Sequence, residues 1–299
     1  MTDEARHEPG PDPLWSESYY LDFVDPKLEV AGYVRLGLCA GLGRAWYWAC
    51  LVGPDRQLVT VIDHDIALPT PPSTEIRGEG LWADYIVETP LDHVTVGVEA
   101  FAVGLDDPAE VYGDARGDRV PFGLDLEWET DGGPYPYPGV TRYEVPCRVH
   151  GEVLVGQEVL HVDGWGQRDH SWGERDWWSY GWCWTAGRLD DGTRFHSAGG
   201  FFPDHDWGVA YRLDPDSSEF VEGDSVGLDV LEGDERLPTR TGLKIVELDL
   251  EVEPLAFSPV LLVHPDGREA RFPRAMARFT AADGRTGGGW IEWNQPPAP

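Results

Sequence analysis

Phe122–Glu129 reads FGLDLEWE, in which apolar and polar positions alternate from the first residue to the last. A period of two is typical of a β-strand with one buried face. The same alternation recurs in LVTVIDHDI (Leu58–Ile66), HVTVGVEAFAV (His93–Val103) and LKIVELDLEV (Leu243–Val252). Stripes of helical period are missing, and 36 glycines and 25 prolines separate the short apolar runs. The sequence therefore predicts an all-β chain of many antiparallel strands joined by turns.

The strand pattern breaks at Gly132–Gly139 (GGPYPYPG), where glycine and proline oppose both helix and strand. Short strand-like runs separated by glycine and proline occur on both sides of this break, which favours two similar β-barrels in tandem. We therefore predict a first barrel over residues 15–135 and a second over residues 136–299. The polar, Pro-rich segment 1–14 is predicted to be disordered or loosely attached.

The chain is strongly acidic, with 54 Asp and Glu residues against 23 Lys and Arg residues and a formal net charge of −31. Such a surface repels phosphate backbones and anionic membranes, so neither nucleic acid nor a membrane is an expected partner. The four cysteines (Cys39, Cys50, Cys147 and Cys183) form no CxxC pair and are predicted to be free thiols. No signal peptide or membrane anchor is recognisable, so a cytoplasmic location is expected. The oligomeric state stays open.

The densest chemistry lies in Asp163–Leu189, which reads DGWGQRDHSWGERDWWSYGWCWTAGRL. Six of the 14 tryptophans fall between Trp165 and Trp184, among several ionisable residues. One interpretation is an aromatic plug at a barrel end, fixed by the buried ion pairs Arg168/Asp169 and Arg175/Asp176. The other is an aromatic ligand pocket around a few polar groups. In the second interpretation Arg168, Glu174, Arg175 and Asp176 support the pocket.

Asp169 and His170 are the predicted catalytic residues. A carboxyl group among indole rings has a raised pKa and can donate a proton near neutral pH. Such an acid could protonate an alkene or an epoxide, and indole faces would stabilise the resulting carbocation. His170 could orient the acid or activate water. The alternative for Asp169 is a salt bridge to Arg168 or Arg175, which would lower its pKa instead.

Alternation selects the predicted substrate-binding residues. Trp182 and Trp184 share one strand face, and Asp190-Asp191-Gly192 predicts a hairpin that places Arg194 and His196 on the next strand. Trp46 and Trp48 share a face in the first half, either as ordinary core or as the wall of a cavity between the two barrels. The full predicted set is Trp172, Trp177, Trp182, Trp184, Arg194, His196, Trp46 and Trp48.

Motifs for other chemistries are missing from the sequence. There is no HExxH or His-Cys pair at ligand spacing, no GxGxxG between a strand and a helix, no phosphate-binding P-loop and no GxSxG. We therefore expect neither a metal nor a cofactor.

Gly164–Trp178 (GWGQRDHSWGERDWW) resembles the signature of the hydroxyneurosporene synthase (carotenoid 1,2-hydratase) and AttH-like superfamily. Gly32–Arg35 (GYVR) and Gly43–Trp48 (GRAWYW) are also similar to that superfamily, and the resemblance spans about residues 15–295. It implies two tandem calycin (lipocalin-like) barrels and relatives that include a cofactor-free hydratase and fungal Diels–Alder cyclases. His170-Ser171-Trp172 matches a His-x-Trp pair implicated in the hydratase. Its Tyr-x-Asp pair has no counterpart, since the comparable strand reads FHSAG (Phe195–Gly199).

Three functions remain open at this point. The chain could be a cofactor-independent lyase or cyclase that hydrates or cyclises an apolar isoprenoid- or polyketide-like molecule. It could be a non-catalytic carrier of a hydrophobic metabolite, or an accessory protein with a plugged barrel. In the first two cases its partner is an apolar small molecule.

Overall fold

The fold is almost entirely antiparallel β-sheet in a computed structural model that describes residues 4–202, 204–223, 232–234 and 237–294. The first sheet contains β1 (Trp15–Val24), β2 (Ala31–Cys39), β3 (Arg44–Val52), β4 (Leu58–Ile66), β5 (Ile76–Gly78), β6 (Leu81–Thr89), β7 (His93–Leu105), β8 (Asp118–Thr130), β9 (Tyr135–Pro136), β10 (Arg142–Val155) and β11 (Glu158–Glu174). The second sheet contains β12 (Gly181–Leu189), β13 (Arg194–Phe201), β14 (Asp206–Leu213), β15 (Val221–Gly223), β16 (Glu232–Asp234), β17 (Leu237–Ile245), β18 (Leu248–Phe257), β21 (Arg274–Ala281) and β22 (Thr286–Asn294). A separate ribbon pairs β19 (Val260–Val263) with β20 (Glu269–Phe272).

The first sheet closes on itself. Its strands follow the order β4-β3-β2-β1-β11-β10-β8-β7, and β7 pairs again with β4, which makes a closed barrel of eight strands. Closure leaves no exposed edge in that ring of strands. The second sheet runs in the order β15-β14-β13-β12-β22-β21-β18-β17-β16 and forms a curled half-barrel. The predicted all-β fold with two barrel-like units in tandem is confirmed.

The change from one sheet to the other does not fall at residue 135. β10 and β11 belong to the first barrel, where β10 pairs with β8 and β11 pairs with β1. The next strand, β12, begins the second sheet, so the boundary lies between Glu174 and Gly181. The Gly- and Pro-rich stretch is a connection inside the first unit, in which Gly132 and Gly133 take positive φ angles of 130° and 100°. It interrupts the strands without separating two domains.

Residues 4–14 are attached to the first barrel, whereas the prediction for residues 1–14 was a disordered or loosely attached segment; residues 1–3 lie outside the described part of the chain. Glu4 Oε1 accepts a 2.8 Å hydrogen bond from Arg168 Nη1 and a 3.1 Å bond from the backbone of Leu91. Arg6 donates to the carbonyl groups of Pro69 and Ser73. Arg168 is 2% exposed, so Glu4 provides the counter-charge that a buried guanidinium needs.

The two units pack face to face through a layer of aromatic side chains. Tyr33 and Trp48 of the first barrel and Trp290 of the second sheet are fully or almost fully buried in this layer. The Trp290 indole donates a 3.1 Å hydrogen bond to the carbonyl of Phe23, and Trp165 donates one of 3.0 Å to Gly288. These bonds satisfy polar groups of large buried rings and fix the two sheets against each other.

Gly166, in the segment Gly164–Trp178, is required by the close packing of two neighbouring strands. A Cβ atom at this position would lie 1.9 Å from the carbonyl oxygen of Asp22 on the neighbouring strand β1. Any larger residue would therefore force β1 and β11 apart. This close approach positions the strand that carries Asp169.

No helix in the described part of the chain is long and apolar enough to cross a membrane.

Candidate active site

Strand β11 directs its successive side chains to two different environments. Asp169 and Ser171 line the space between the two sheets. Arg168 and His170 point the other way, toward the first barrel, where Arg168 meets Glu4 and His170 stacks on Tyr19. Adjacent residues of a strand face opposite sides, so Asp169 and His170 cannot act on the same bound molecule. The predicted catalytic pairing is therefore not formed.

The space beside Asp169 is a cavity of about 290 Å³. Its aromatic wall includes Tyr20, Tyr137, Trp177, Trp182, Trp184 and Phe272. The volume lies at the lower end of the roughly 300–1,000 Å³ that is typical of ligand pockets. Three tryptophans of the sequence cluster thus line an open space between the units and do not plug a barrel end.

Asp169 is buried at this wall and keeps one oxygen unpaired. Its Oδ2 accepts a 2.8 Å hydrogen bond from Arg142 Nη2, whereas its Oδ1 is buried with no hydrogen-bond partner. Burial raises the pKa of Asp169 to about 6, although the positive charge of Arg142 opposes the rise. The alternative of a salt bridge to Arg168 or Arg175 is not what forms: Asp169 pairs with Arg142, and burial outweighs that charge in setting the pKa. A carboxyl group with this pKa can hold and release a proton near neutral pH.

This raised pKa makes the stability of the fold depend on pH. The folded chain binds the Asp169 proton more tightly than the unfolded chain, whose aspartate has a pKa of 3.8. The free energy of unfolding must therefore fall as the pH rises through about 6, and we expect Asp169 to account for a decrease of about 1 kcal/mol between about pH 5 and about pH 7.5.

Urea unfolding curves at the two pH values give the free energies of unfolding of wild type and Asp169→Asn. The contribution of Asp169 is the decrease with pH that wild type shows and the variant does not. Asp163→Asn is the matched control, since Asp163 is exposed on the same strand. The same pH dependence in wild type and Asp169→Asn would contradict the assignment.

Glu144 is the centre of the polar network behind Asp169. It is fully buried, and its Oε1 accepts hydrogen bonds from Arg142 (2.8 Å), the Tyr137 hydroxyl (3.0 Å) and the Trp184 indole (3.1 Å). Its Oε2 accepts a 3.1 Å bond from Gln167 Nε2. Because Trp184 belongs to the second sheet and the other donors to the first unit, Glu144 joins the two halves at the cavity.

Among the other predicted site residues, Arg175, Asp176, Trp177, Trp182 and Trp184 line the cavity. The hairpin prediction is confirmed, since β12 pairs with β13 in a register that sets Arg188 opposite Arg194. His196 lies behind the wall, 2.6 Å from the Tyr137 hydroxyl and with its ring 5.4 Å from that of Trp184.

The remaining predicted residues lie away from the cavity. Arg194 binds the backbone and carboxylate of Asp131, and Glu174 is exposed at the end of β11. Trp172 stacks on His7 at 3.7 Å, on the same side of β11 as His170. Trp46 and Trp48 are packed in the layer between the units, so they back the cavity without lining it.

A second polar cluster joins the N-terminal segment to the first barrel. Glu17 Oε1 lies 2.8 Å from His7 Nδ1 and 2.9 Å from His170 Nε2. Burial opposes ionisation of Glu17, but hydrogen bonds from His170 and His7 prevail and lower its pKa. Two imidazoles and a carboxylate within 4.8 Å are also a donor set that could hold a zinc ion. In the structure these groups bind one another and fasten His7 to β1 and β11.

Sequence reasoning missed Arg142, Glu144, Arg35, Arg274 and Glu292. A usable signal was present on β10, where Arg142 and Glu144 occupy alternate positions and share one face of a strand whose other face carries Tyr143 and Val145. Two charged residues on one face of a strand that is buried on both sides indicate a buried ion network. Arg274 and Glu292 form a second buried pair across β21 and β22.

A family model described as a domain of unknown function, DUF7064, matches residues 1–297. The chain belongs to the DUF7064 family. No curated protein sequence matches it. The solved structures that share its fold include three described below, whose low identity means that for this DUF7064 chain they establish the fold alone.

The first of these structures is a putative AttH from Nitrosomonas europaea, with a TM-score of 0.64, 16% identity and 97% coverage of each chain. The second is CghA with Sch210972, with a TM-score of 0.63, 12% identity, and coverage of 98% of this chain and 94% of that one. Kievitone hydratase from Nectria haematococca has a TM-score of 0.61 and 12% identity, over 95% of this chain and 90% of that one. The DUF7064 chain therefore has an AttH-like fold.

Proposed function

We propose that the protein is a cofactor-independent lyase or cyclase that hydrates or cyclises an apolar, isoprenoid- or polyketide-like small molecule in the cavity between the two units. The observation that carries this proposal is the Asp169 carboxyl group, buried at an aromatic wall with Oδ1 unpaired. Two proteins of the same fold support it by their names, one as a hydratase and one by its complex with the small molecule Sch210972. The sequence resemblance to hydroxyneurosporene synthase points to the same kind of reaction.

The proposed reaction begins with proton transfer from the neutral Asp169 carboxyl group to one carbon of a double bond. The other carbon becomes a cation, which the faces of Trp177, Trp182 and Trp184 stabilise. In a hydration, water adds to the cation and returns its proton to the Asp169 carboxylate. In a cyclisation, a second double bond of the same molecule attacks the cation, and a neighbouring C–H bond returns the proton. Both cycles regenerate the acid, and neither needs His170.

Product analysis tests this function. The protein is incubated with small acyclic terpenoids and polyene polyketides in water enriched in ¹⁸O, and the recovered compounds are analysed by mass spectrometry. A product with added labelled water supports hydration, and an isomer of unchanged mass supports cyclisation. Recovery of every compound unaltered, despite binding that quenches tryptophan fluorescence, would contradict the proposal and favour the carrier function.

A further inference from the structure

Four arginines line the cavity, and two of them have carboxylate partners. Arg142 binds Asp169 and Glu144, each at 2.8 Å. Arg274 is paired with Glu292 on the adjacent strand and lies 3.7 Å above the Tyr33 ring. Both cations are therefore neutralised within the fold.

The other two, Arg35 and Arg175, have no such partner. Neither side chain forms an ion pair or a hydrogen bond with any other residue that the structure describes. Arg35 is 4% exposed, and its Nη1 is buried with no acceptor. A buried guanidinium without a counter-charge is unfavourable, and it calls for an explanation outside the network of the folded chain.

The fold holds the Arg35 guanidinium at the cavity wall. It lies 4.4 Å from the centre of the Trp48 ring and 5.2 Å from that of Trp177. The next residue on the same face of β2 is Gly37, where a Cβ atom would lie 2.6 Å from Arg35 Nη1. The glycine and the two indole rings thus leave room for the guanidinium and fix its position.

The pKa values of the four arginines differ according to whether each has a carboxylate partner. Burial lowers the pKa of Arg35 to about 10, and it also lowers the pKa of Arg175. The pKa values of Arg142 and Arg274 are raised, because their carboxylate partners outweigh burial. Arg35, Arg175 and Asp169 all line this cavity, and the positive charges of the two arginines oppose the rise in the pKa of Asp169.

We propose that the molecule bound in this cavity carries a carboxylate group, which Arg35 and Arg175 bind while its apolar skeleton lies against Trp177, Trp182 and Trp184. The inference rests on the proposed function only in taking the cavity as the substrate site. It narrows the substrate class to unsaturated organic acids of a size that suits 290 Å³. A neutral hydrocarbon would leave both guanidinium groups without a counter-charge. Anchoring at Arg35 and Arg175 sets the double bonds of the skeleton near Asp169.

Geranate and geraniol test the inference, because they share one skeleton and differ in a carboxylate against an alcohol. Isothermal titration at pH 7.5 should show that wild type binds geranate at least ~10-fold more tightly, since charge-assisted hydrogen bonds to a carboxylate are strong. In Arg35→Met the affinity for geranate should fall by ~10-fold or more, with the affinity for geraniol within ~3-fold of wild type. Arg116→Met, which removes an exposed arginine and the same formal charge, should bind both compounds as wild type does.

Arg35→Met should fold, because it removes an unpaired buried cation. Arg175→Met, at a half-buried position, provides a second variant with the same expected loss. Equal wild-type affinity for the two compounds, or binding of neither, overturns the inference, as does unchanged selectivity in both variants. Selective binding of geranate without any product in the ¹⁸O experiment would keep the carboxylate site and contradict only the catalytic proposal. Turnover of neutral compounds with no preference for acids would keep the catalytic proposal and contradict the carboxylate site.

Discussion

Asp169→Asn should lower turnover by ~100-fold or more in any reaction found for this protein, since general acid catalysis contributes about 10²–10⁴-fold. Asparagine has nearly the same shape and can still accept the hydrogen bond from Arg142, but it has no acidic proton to donate. The variant should therefore retain the cavity and its ligand while it loses the chemical step. Initial rates at saturating substrate measure the effect, and a titration confirms that the ligand still binds.

Asp163→Asn is the control, because it makes the same change on the exposed part of β11. The wild-type rate should also decrease as the pH rises above about 6, where Asp169 loses its proton. If Asp169→Asn turns over substrate as fast as wild type, Asp169 is not the proton donor. If the rate of wild type instead increases above pH 6, the residue acts as a base.

The architecture could be predicted from the sequence because alternation is a local property. FGLDLEWE forms the middle of β8, and its apolar members Leu124, Leu126 and Trp128 are all buried. The hairpin at Asp190–Gly192 could be predicted for the same reason, since a tight turn depends on a few adjacent residues.

The boundary at residue 135 was wrong because glycine and proline report only where a strand stops. Whether the next strand returns to the same sheet depends on partners that are distant in sequence. β11 pairs with β1, and so residues 158–174 complete a barrel that begins at Trp15. The N-terminal segment presents the same difficulty, since Glu4 has its partner at Arg168.

The sequence predicted the tryptophan wall of the cavity more completely than its polar wall. Trp177, Trp182 and Trp184 lie close together in sequence, so their density indicated the site directly. The polar side comes from β2, β10, β21 and β22, and nothing in the sequence indicates that Arg142 pairs with Asp169 or that Arg35 lines the same cavity. The error in pairing Asp169 with His170 has a simpler origin. Adjacent residues of a strand point in opposite directions, and here both faces of β11 are buried.

Glu144→Gln should reduce the free energy of unfolding by about 3–5 kcal/mol, the usual cost of removing one partner from a buried ion pair. Glutamine replaces an oxygen with a donor, although all the groups that face Glu144 from Arg142, Tyr137 and Trp184 are donors themselves. At least one donor would lose its acceptor, and Arg142 would keep only Asp169 as a carboxylate partner. Guanidinium unfolding measures the loss, with Glu158→Gln as the control. Glu158 is exposed and paired with Arg56, so its replacement should leave the free energy of unfolding nearly unchanged.

The same substitution should also shift the chemistry of the site. The negative charge of Glu144 raises the pKa of Asp169, whereas Arg142 lowers it. Glu144→Gln removes the first effect and leaves Arg142 free to act on Asp169 alone, so the pKa of Asp169 should fall. The pH at which turnover declines should then lie below the wild-type value of about 6. A stability loss below about 1 kcal/mol would show that Glu144 does not join the two units. An unchanged pH profile would show that it does not act on Asp169.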